Sequence, residues 1–206
     1  MRLVCFFISL CCFSLHGQQI LDDNIQQLID AYSNESKIKC EITVTIHVEG
    51  MQIPRKTILV DFQEGQKPKV KGEGLALLPK KGLVNQFQEL FKTPMQAIAM
   101  GEKEGRLVYK LVSLDDQSQW VTADIVFNKD TFQIYEAIIN TRKHGALKAI
   151  HTYEEGKYPS ESLITFSVKK FKVPLRFIGR QNKLVDLPEA DEQTEGKIFL
   201  QYVYIP

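Results

Sequence analysis

Between positions 38 and 48 the chain alternates with a period of two. Ile38, Cys40, Ile42, Val44, Ile46 and Val48 are apolar, and Lys39, Glu41, Thr43, Thr45 and His47 between them are polar. Successive side chains of a strand point to opposite faces, so this segment predicts a long strand with one buried and one solvated face. After a turn at Gly50, residues 57–63 repeat the alternation with Ile58, Val60 and Phe62. A third strand is expected over 67–77, where Gly72 and Gly74 allow a bulge or the close approach of a ligand.

Helical spacing replaces the alternation twice. Leu21, Ile25, Leu28, Ile29 and Tyr32 share one face of a helix whose first turn holds Asp22 and Asp23. Leu83, Phe87, Leu90 and Phe91 fall at i, i+4, i+7 and i+8, and Pro94 ends that second helix. Strands are expected beyond it over 95–100, 106–114, 119–127, 132–141, 146–153, 162–169, 173–178 and 197–205. Asn128-Lys129-Asp130, His144-Gly145 and Glu155-Gly156 supply hairpin turns between them. Residues 179–195 have little periodicity and read as a long loop, either a connector or a flap. The fold class is mainly β with α: one antiparallel meander of about ten or eleven strands, curled or closed, with an N-terminal and an interposed helix.

The first residues read as an address. Met1-Arg2 is a short positive start, 3–15 is an almost uncharged apolar run, and His16-Gly17-Gln18-Gln19 is polar. This is the pattern of a secretory signal peptide cleaved near Gly17, which leaves 18–206 as one domain. The run is shorter than the roughly 20 residues of a membrane-spanning helix. Cys5, Cys11 and Cys12 lie in the leader, where Leu10 and Cys11 are not the small residues that precede a lipidated cysteine. Cys40 alone remains, in an apolar register, and reads as a buried inert thiol rather than a reactive one.

Charge and motifs narrow the function classes. Of 206 residues, 26 are Lys or Arg and 25 are Asp or Glu; removing Arg2 with the leader leaves 25 against 25. That balance argues against a nucleic-acid partner. His47, His144 and His151 have no second ligand at metal spacing, so no metal or cofactor is expected. His151 takes an otherwise apolar register, as a satisfied interior histidine or a ligand contact. The chain has no Gly-x-Ser-x-Gly elbow, no His-Glu-x-x-His and no Cys-x-x-Cys, and Gly72-Glu73-Gly74 lacks the third glycine of a dinucleotide loop. No catalytic residue is nominated. Several later strands are apolar on both sides, as where Val121, Ala123, Ile125 and Phe127 oppose Trp120 and Val126. A second apolar face is ordinary core, a partner surface or the lining of a cavity.

The order of leader, helix, three strands, amphipathic helix and hairpins resembles the periplasmic lipoprotein-carrier (LolA-like) superfamily, which includes the lipoprotein-sensing MucB/RseB regulators. The middle of the chain carries the resemblance. Tyr109-Lys110-Leu111 leads to Trp120 and Phe127, then to Asn128-Lys129-Asp130-Thr131 and Phe132; Ala149-Ile150-His151-Thr152-Tyr153, Gly156, Pro159 and Leu163-Ile164 follow. No lid-locking arginine is matched; Arg55 and Arg106 are the candidates.

The resemblance implies an incomplete β-barrel with helices as a lid over an apolar hollow. It implies a periplasmic, non-catalytic carrier or binding protein for lipoprotein acyl chains or another lipid, monomeric, with an inner- or outer-membrane partner protein. Phe87, Leu90 and Phe91 would lie on the lid, and Ile42, Val44, Ile46, Ile58, Val60 and Phe62 would line the hollow. The alternatives are a lipid- or peptide-sensing module signalling to a membrane partner, an exported enzyme centred on His151 or Asp124, and a structural envelope protein.

Overall fold

A computed structural model describes residues 21–33, 37–48, 51–63, 69–72, 86–142, 145–169 and 193–205. The alternation at 38–48 becomes β1 (Lys37–Val48), in which Ile38, Cys40, Ile42, Val44 and Val48 are buried. β2 (Met51–Gln52) folds back on its end, and β3 (Lys56–Gln63) pairs along its length. Ile42 stands opposite Ile58, and Cys40 opposite Val60. β4 (Lys69–Lys71) forms one edge.

The later strands are β5 (Met95–Lys103), β6 (Arg106–Ser113), β7 (Trp120–Phe127), β8 (Ile134–Thr141), β9 (Gly145–Thr152), β10 (Glu161–Lys169) and β11 (Gln193–Tyr204). All pairings are antiparallel, and the order is β4-β3-β1-β11-β10-β9-β8-β7-β6-β5. The sheet is curved and open, with β4 and β5 as its edges.

This order corrects the single meander expected from sequence. The chain runs out to the β4 edge and re-enters at the opposite β5 edge. β11 then joins the two runs by lying between β1 and β10. Its Ile198, Leu200 and Tyr202 stand opposite Ile46, Val44 and Ile42, so its apolar register continues the buried face of β1.

Local chemistry moves several boundaries. Residues 193–195, expected in a loop, begin β11. β8 starts at Ile134 rather than 132, because Phe132 has φ +56° and closes a turn in which Asn128 Oδ1 accepts from the amides of Asp130 and Thr131. β5 runs past Met100 through a bulge at Gly101 to a tight turn, where Glu104 and Gly105 have φ of 54° and 72°. The leader, the expected strand at 173–178 and most of the 179–195 loop lie outside the described residues, as does most of the third strand.

Two helices cover part of one face. α1 (Asp23–Ser33) buries Ile25, Leu28 and Tyr32, and α2 (Gln86–Phe91) buries Phe87, Leu90 and Phe91. Both pack on β5 to β8 against Met95, Tyr109, Leu111, Ala123, Ile125 and Phe127. A second cluster joins Cys40, Ile42 and Val44 of β1 to Ile58 and Val60 of β3 and Leu200 of β11. No helix among the described residues is long and apolar enough to cross a membrane.

Candidate functional site

Strand register sets the geometry of the concave face. Cross-strand pairs carry one apolar row from Val44 through Leu200 to Ser162 and His151. A neighbouring row runs from Ala149 through Ala137 to Ile125 and Tyr109. Both clusters therefore lie on one face, with β9 and β10 between them.

α1 is tied down at both ends. At its N-terminus the Asp22 carboxylate accepts from the amide of Asn24 at 3.0 Å, and the Tyr109 hydroxyl donates to the same oxygen at 2.7 Å. The Tyr109 bond is the largest of the causes that hold the Asp22 carboxyl below its ordinary range. At the other end Lys157 Nζ donates to the Ala31 carbonyl and stands over the Tyr32 ring, a favourable place for a cation at a helix C-terminus.

α2 is held through its rings. Phe87 meets Tyr32 edge-on at 5.7 Å, Phe91 lies 5.8 Å from Tyr32, and Phe87 is 5.4 Å from the His151 ring. Thr93, just beyond the helix, accepts from Trp120 Nε1 at 3.3 Å.

Under Phe87 the apolar floor is interrupted. His151 and Ser162, each 3% exposed, share a hydrogen bond of 2.7 Å between Nδ1 and Oγ. The Tyr202 hydroxyl is also bonded to Ser162, and burial raises its pKa. Burial lowers the His151 pKa to about 4, so the imidazole is neutral at pH 7. Burial pushes the Cys40 thiol up to about 12, which makes it a poor nucleophile. His151 and Ser162 became a pair only through the β9–β10 register; the one sequence signal was that both occupy apolar-face positions.

The nine residues nominated from sequence fall into two groups. Ile42, Val44, Ile58, Val60 and Phe62 are buried, and Ile46 is half-buried, on the β1–β3 part of the face. Phe87, Leu90 and Phe91 are buried against α1 and β5 to β8. Among the described contacts the second group does not touch the first; Phe87 reaches only the His151 seam between them.

The other candidates sit elsewhere. Arg55 lies on the convex side and donates to Gln201 Oε1 at 2.6 Å, and Arg106 stacks over Tyr135 at 3.6 Å. Neither is shown in contact with α2. Asp124 pairs with Lys110 at 2.5 Å on the convex side, away from His151. No group of His, Cys, Asp and Glu among the described residues is placed to hold a metal ion.

With this geometry the chain can be compared with known proteins. No sequence-family model and no curated protein sequence matches it. Solved structures do. A LolA superfamily protein from Nitrosomonas europaea is 8% identical, with a TM-score of 0.49 over 86% of this chain and 90% of that one. A DUF1329 family protein from Desulfovibrio piger is 10% identical, with a TM-score of 0.52 over 87% of this chain and 88% of that one. The second likeness carries the fold: a curved antiparallel half-barrel with a helical cover. At 10% identity that likeness is one of fold alone.

Proposed function

We propose that the protein is an exported, non-catalytic carrier or binding protein for an acyl chain, of a lipoprotein or another lipid, held on the concave face beneath α2. One observation carries this reading. The apolar concave face extends beyond the helices over β1, β3 and β11, and α2 stands at the boundary, packed through Phe87 on the His151 seam. α1 is clamped by polar bonds at both ends, so α2 is the helix that can yield without breaking them.

The energetics suit a reversible carrier. Burying an acyl chain is worth about 0.8 kcal/mol per CH₂, roughly 12 kcal/mol for fifteen methylenes. Displacing the aromatic packing of α2 offsets part of that gain and keeps release possible. The leader and the single cysteine of the mature chain support export without a disulfide framework, and the periplasm is the compartment we assign. A catalytic role for His151 and Ser162 is disfavoured, because both are buried, His151 against the Phe87 ring, and the Ser162 hydroxyl is engaged by two partners.

The test is native mass spectrometry of the mature protein from its exporting compartment, with organic extraction and titration by a fluorescent fatty acid. We expect a bound lipid, and uptake that falls in the double variant Phe87→Ser, Phe91→Ser by more than the folded fraction falls. A clean apo mass with no fatty-acid uptake by the wild-type protein overturns the reading.

A further inference from the structure

The convex face carries a feature that acyl binding does not use. Cross-strand register aligns Phe199 of β11 with Leu163 of β10, Leu163 with Ile150 of β9, Ile150 with Glu136 of β8, Glu136 with Val126 of β7, and Val126 with Val108 of β6. Apart from Glu136, this is one apolar row running across six strands on the solvent side. Phe199 is 41% and Ile150 42% exposed. A groove of about 500 Å³ surrounds Phe199, Leu163 and Ile150, and a second of about 250 Å³ runs on from Ile150 to Val126 and Arg106.

The groove linings balance Arg55, Lys103 and Arg106 against Glu104, Glu136 and Glu161, with Arg106 4.0 Å from Glu104, and Lys148 and Lys197 beside them tip the border to a cationic excess. Glu136 is shared by Lys103 at 3.3 Å and Lys148 at 3.0 Å. Arg55 bonds the neutral Gln201, whose amide donates to Glu161 at 3.0 Å. Among the described residues Arg55 and Lys197 meet no carboxylate. Glu161 is the one border carboxylate bonded to an amide instead of a cation.

We propose that this row is the docking site for an acidic amphipathic helix of a partner protein. Spacing favours a helix. Adjacent strands are about 4.8 Å apart, close to the roughly 5.4 Å between successive turns of a helix, whereas same-face residues of an extended peptide recur at about 6.8 Å. Five strand intervals span about 24 Å, the length of a helix of about sixteen residues. Apolar anchors at i, i+3, i+4 and i+7 would lie on Phe199, Leu163 and Ile150. Glutamates on the flanks would meet Arg55, Lys197 and the lysines that share Glu136, giving an attraction that weakens with salt.

The probe is a fluorescein-labelled Leu/Glu peptide of about sixteen residues with that heptad spacing, titrated into the mature protein by anisotropy. Its controls are a scrambled peptide and a Leu/Lys analogue. We expect saturable binding that weakens at least tenfold in Phe199→Glu and in Arg55→Glu, and weakens as salt rises. Both positions are exposed, and circular dichroism checks that each variant folds. Fatty-acid uptake by the concave face should be unchanged in both variants, which separates this proposal from the acyl-chain reading. Absence of Leu/Glu binding, equal binding of the Leu/Lys or scrambled peptide, or wild-type affinity in both variants overturns the proposal. So does sedimentation with phosphatidylglycerol vesicles that depends on Phe199 and Arg55 while the peptide stays free, since that outcome assigns the row to a membrane surface.

Discussion

Over β5 to β8 the concave face is closed by two helices with aromatic side chains; over β1, β3 and β11, the same face forms a cluster to which, among the described residues, strands alone contribute. The first half is a fixed core. Phe127, Ile125, Leu111, Ile25 and Leu28 are fully buried, and α1 is bonded at one end to Tyr109 of β6 and at the other to Lys157 of the β9–β10 connection. The second half is aliphatic at its centre, where Ile42, Ile58, Val60 and Leu200 are just as fully buried, with Ile46, Ile198, Tyr202 and Tyr204 partly buried around it. Between them lies the His151–Ser162–Tyr202 seam, whose bonds pin the register of β9, β10 and β11. One alternating pattern thus serves both halves. Under the helices and beyond them it builds buried core, with Ile42, Ile58, Val60 and Leu200 of the second cluster at 0–1% exposure.

The largest expected effect tests that division. Phe127→Ala should cost about 3–5 kcal/mol in urea unfolding, yet leave fatty-acid affinity per folded molecule unchanged. A matching loss of affinity would break the distinction between the halves.

The seam gives the next effect. His151 titrates at about 4 in the folded protein against 6.5 unfolded, so folding disfavours its protonation. Its contribution is fully present above pH 6.5 and declines as pH falls toward 4, by about 3 kcal/mol in total. Urea titrations at several pH values should show this decline, and His151→Leu should flatten it.

A smaller effect is expected at Gly196, where a Cβ would run into the Phe166 ring. Gly196→Ala should cost about 1–3 kcal/mol and loosen the β10–β11 pairing in hydrogen exchange, with protection of α1 unchanged. The smallest is Asp22→Ala, at about 0.5–2 kcal/mol for loss of the cap. Because the Asp22 carboxyl lies below its ordinary range when folded, this contribution is present at neutral pH. It is lost as pH falls through that lowered value, so wild type and variant should converge in acid.

Much of the local structure was legible in the sequence. β1 and β3 could be read residue by residue, because each has one wet and one dry face. α1 was legible from Ile25, Leu28 and Tyr32. What could not be read was set by pairing between distant segments. The β11 position depends on contacts such as Cys40 with Tyr204, which no local window contains. Residues 193–195 carry no alternation, so their strand emerged only from the partner register. The nominated aliphatics do share a face, but periodicity could not say that Phe87, Leu90 and Phe91 would pack in a different cluster from Ile42 and Val60. The convex row was hidden for the same reason: each of its residues belongs to a different strand and is unremarkable in its own.

The placement of β11 also has a kinetic side. A nascent chain that has not yet made residues 193–204 can form the β1–β3 hairpin and the β5–β10 meander, but nothing joins them into one sheet. Closure waits for the last strand, whose partners were synthesised at the beginning. Such high contact order slows folding and keeps the chain open until synthesis is nearly complete. If the chain is exported as proposed, that delay suits a polypeptide that crosses a membrane before it folds.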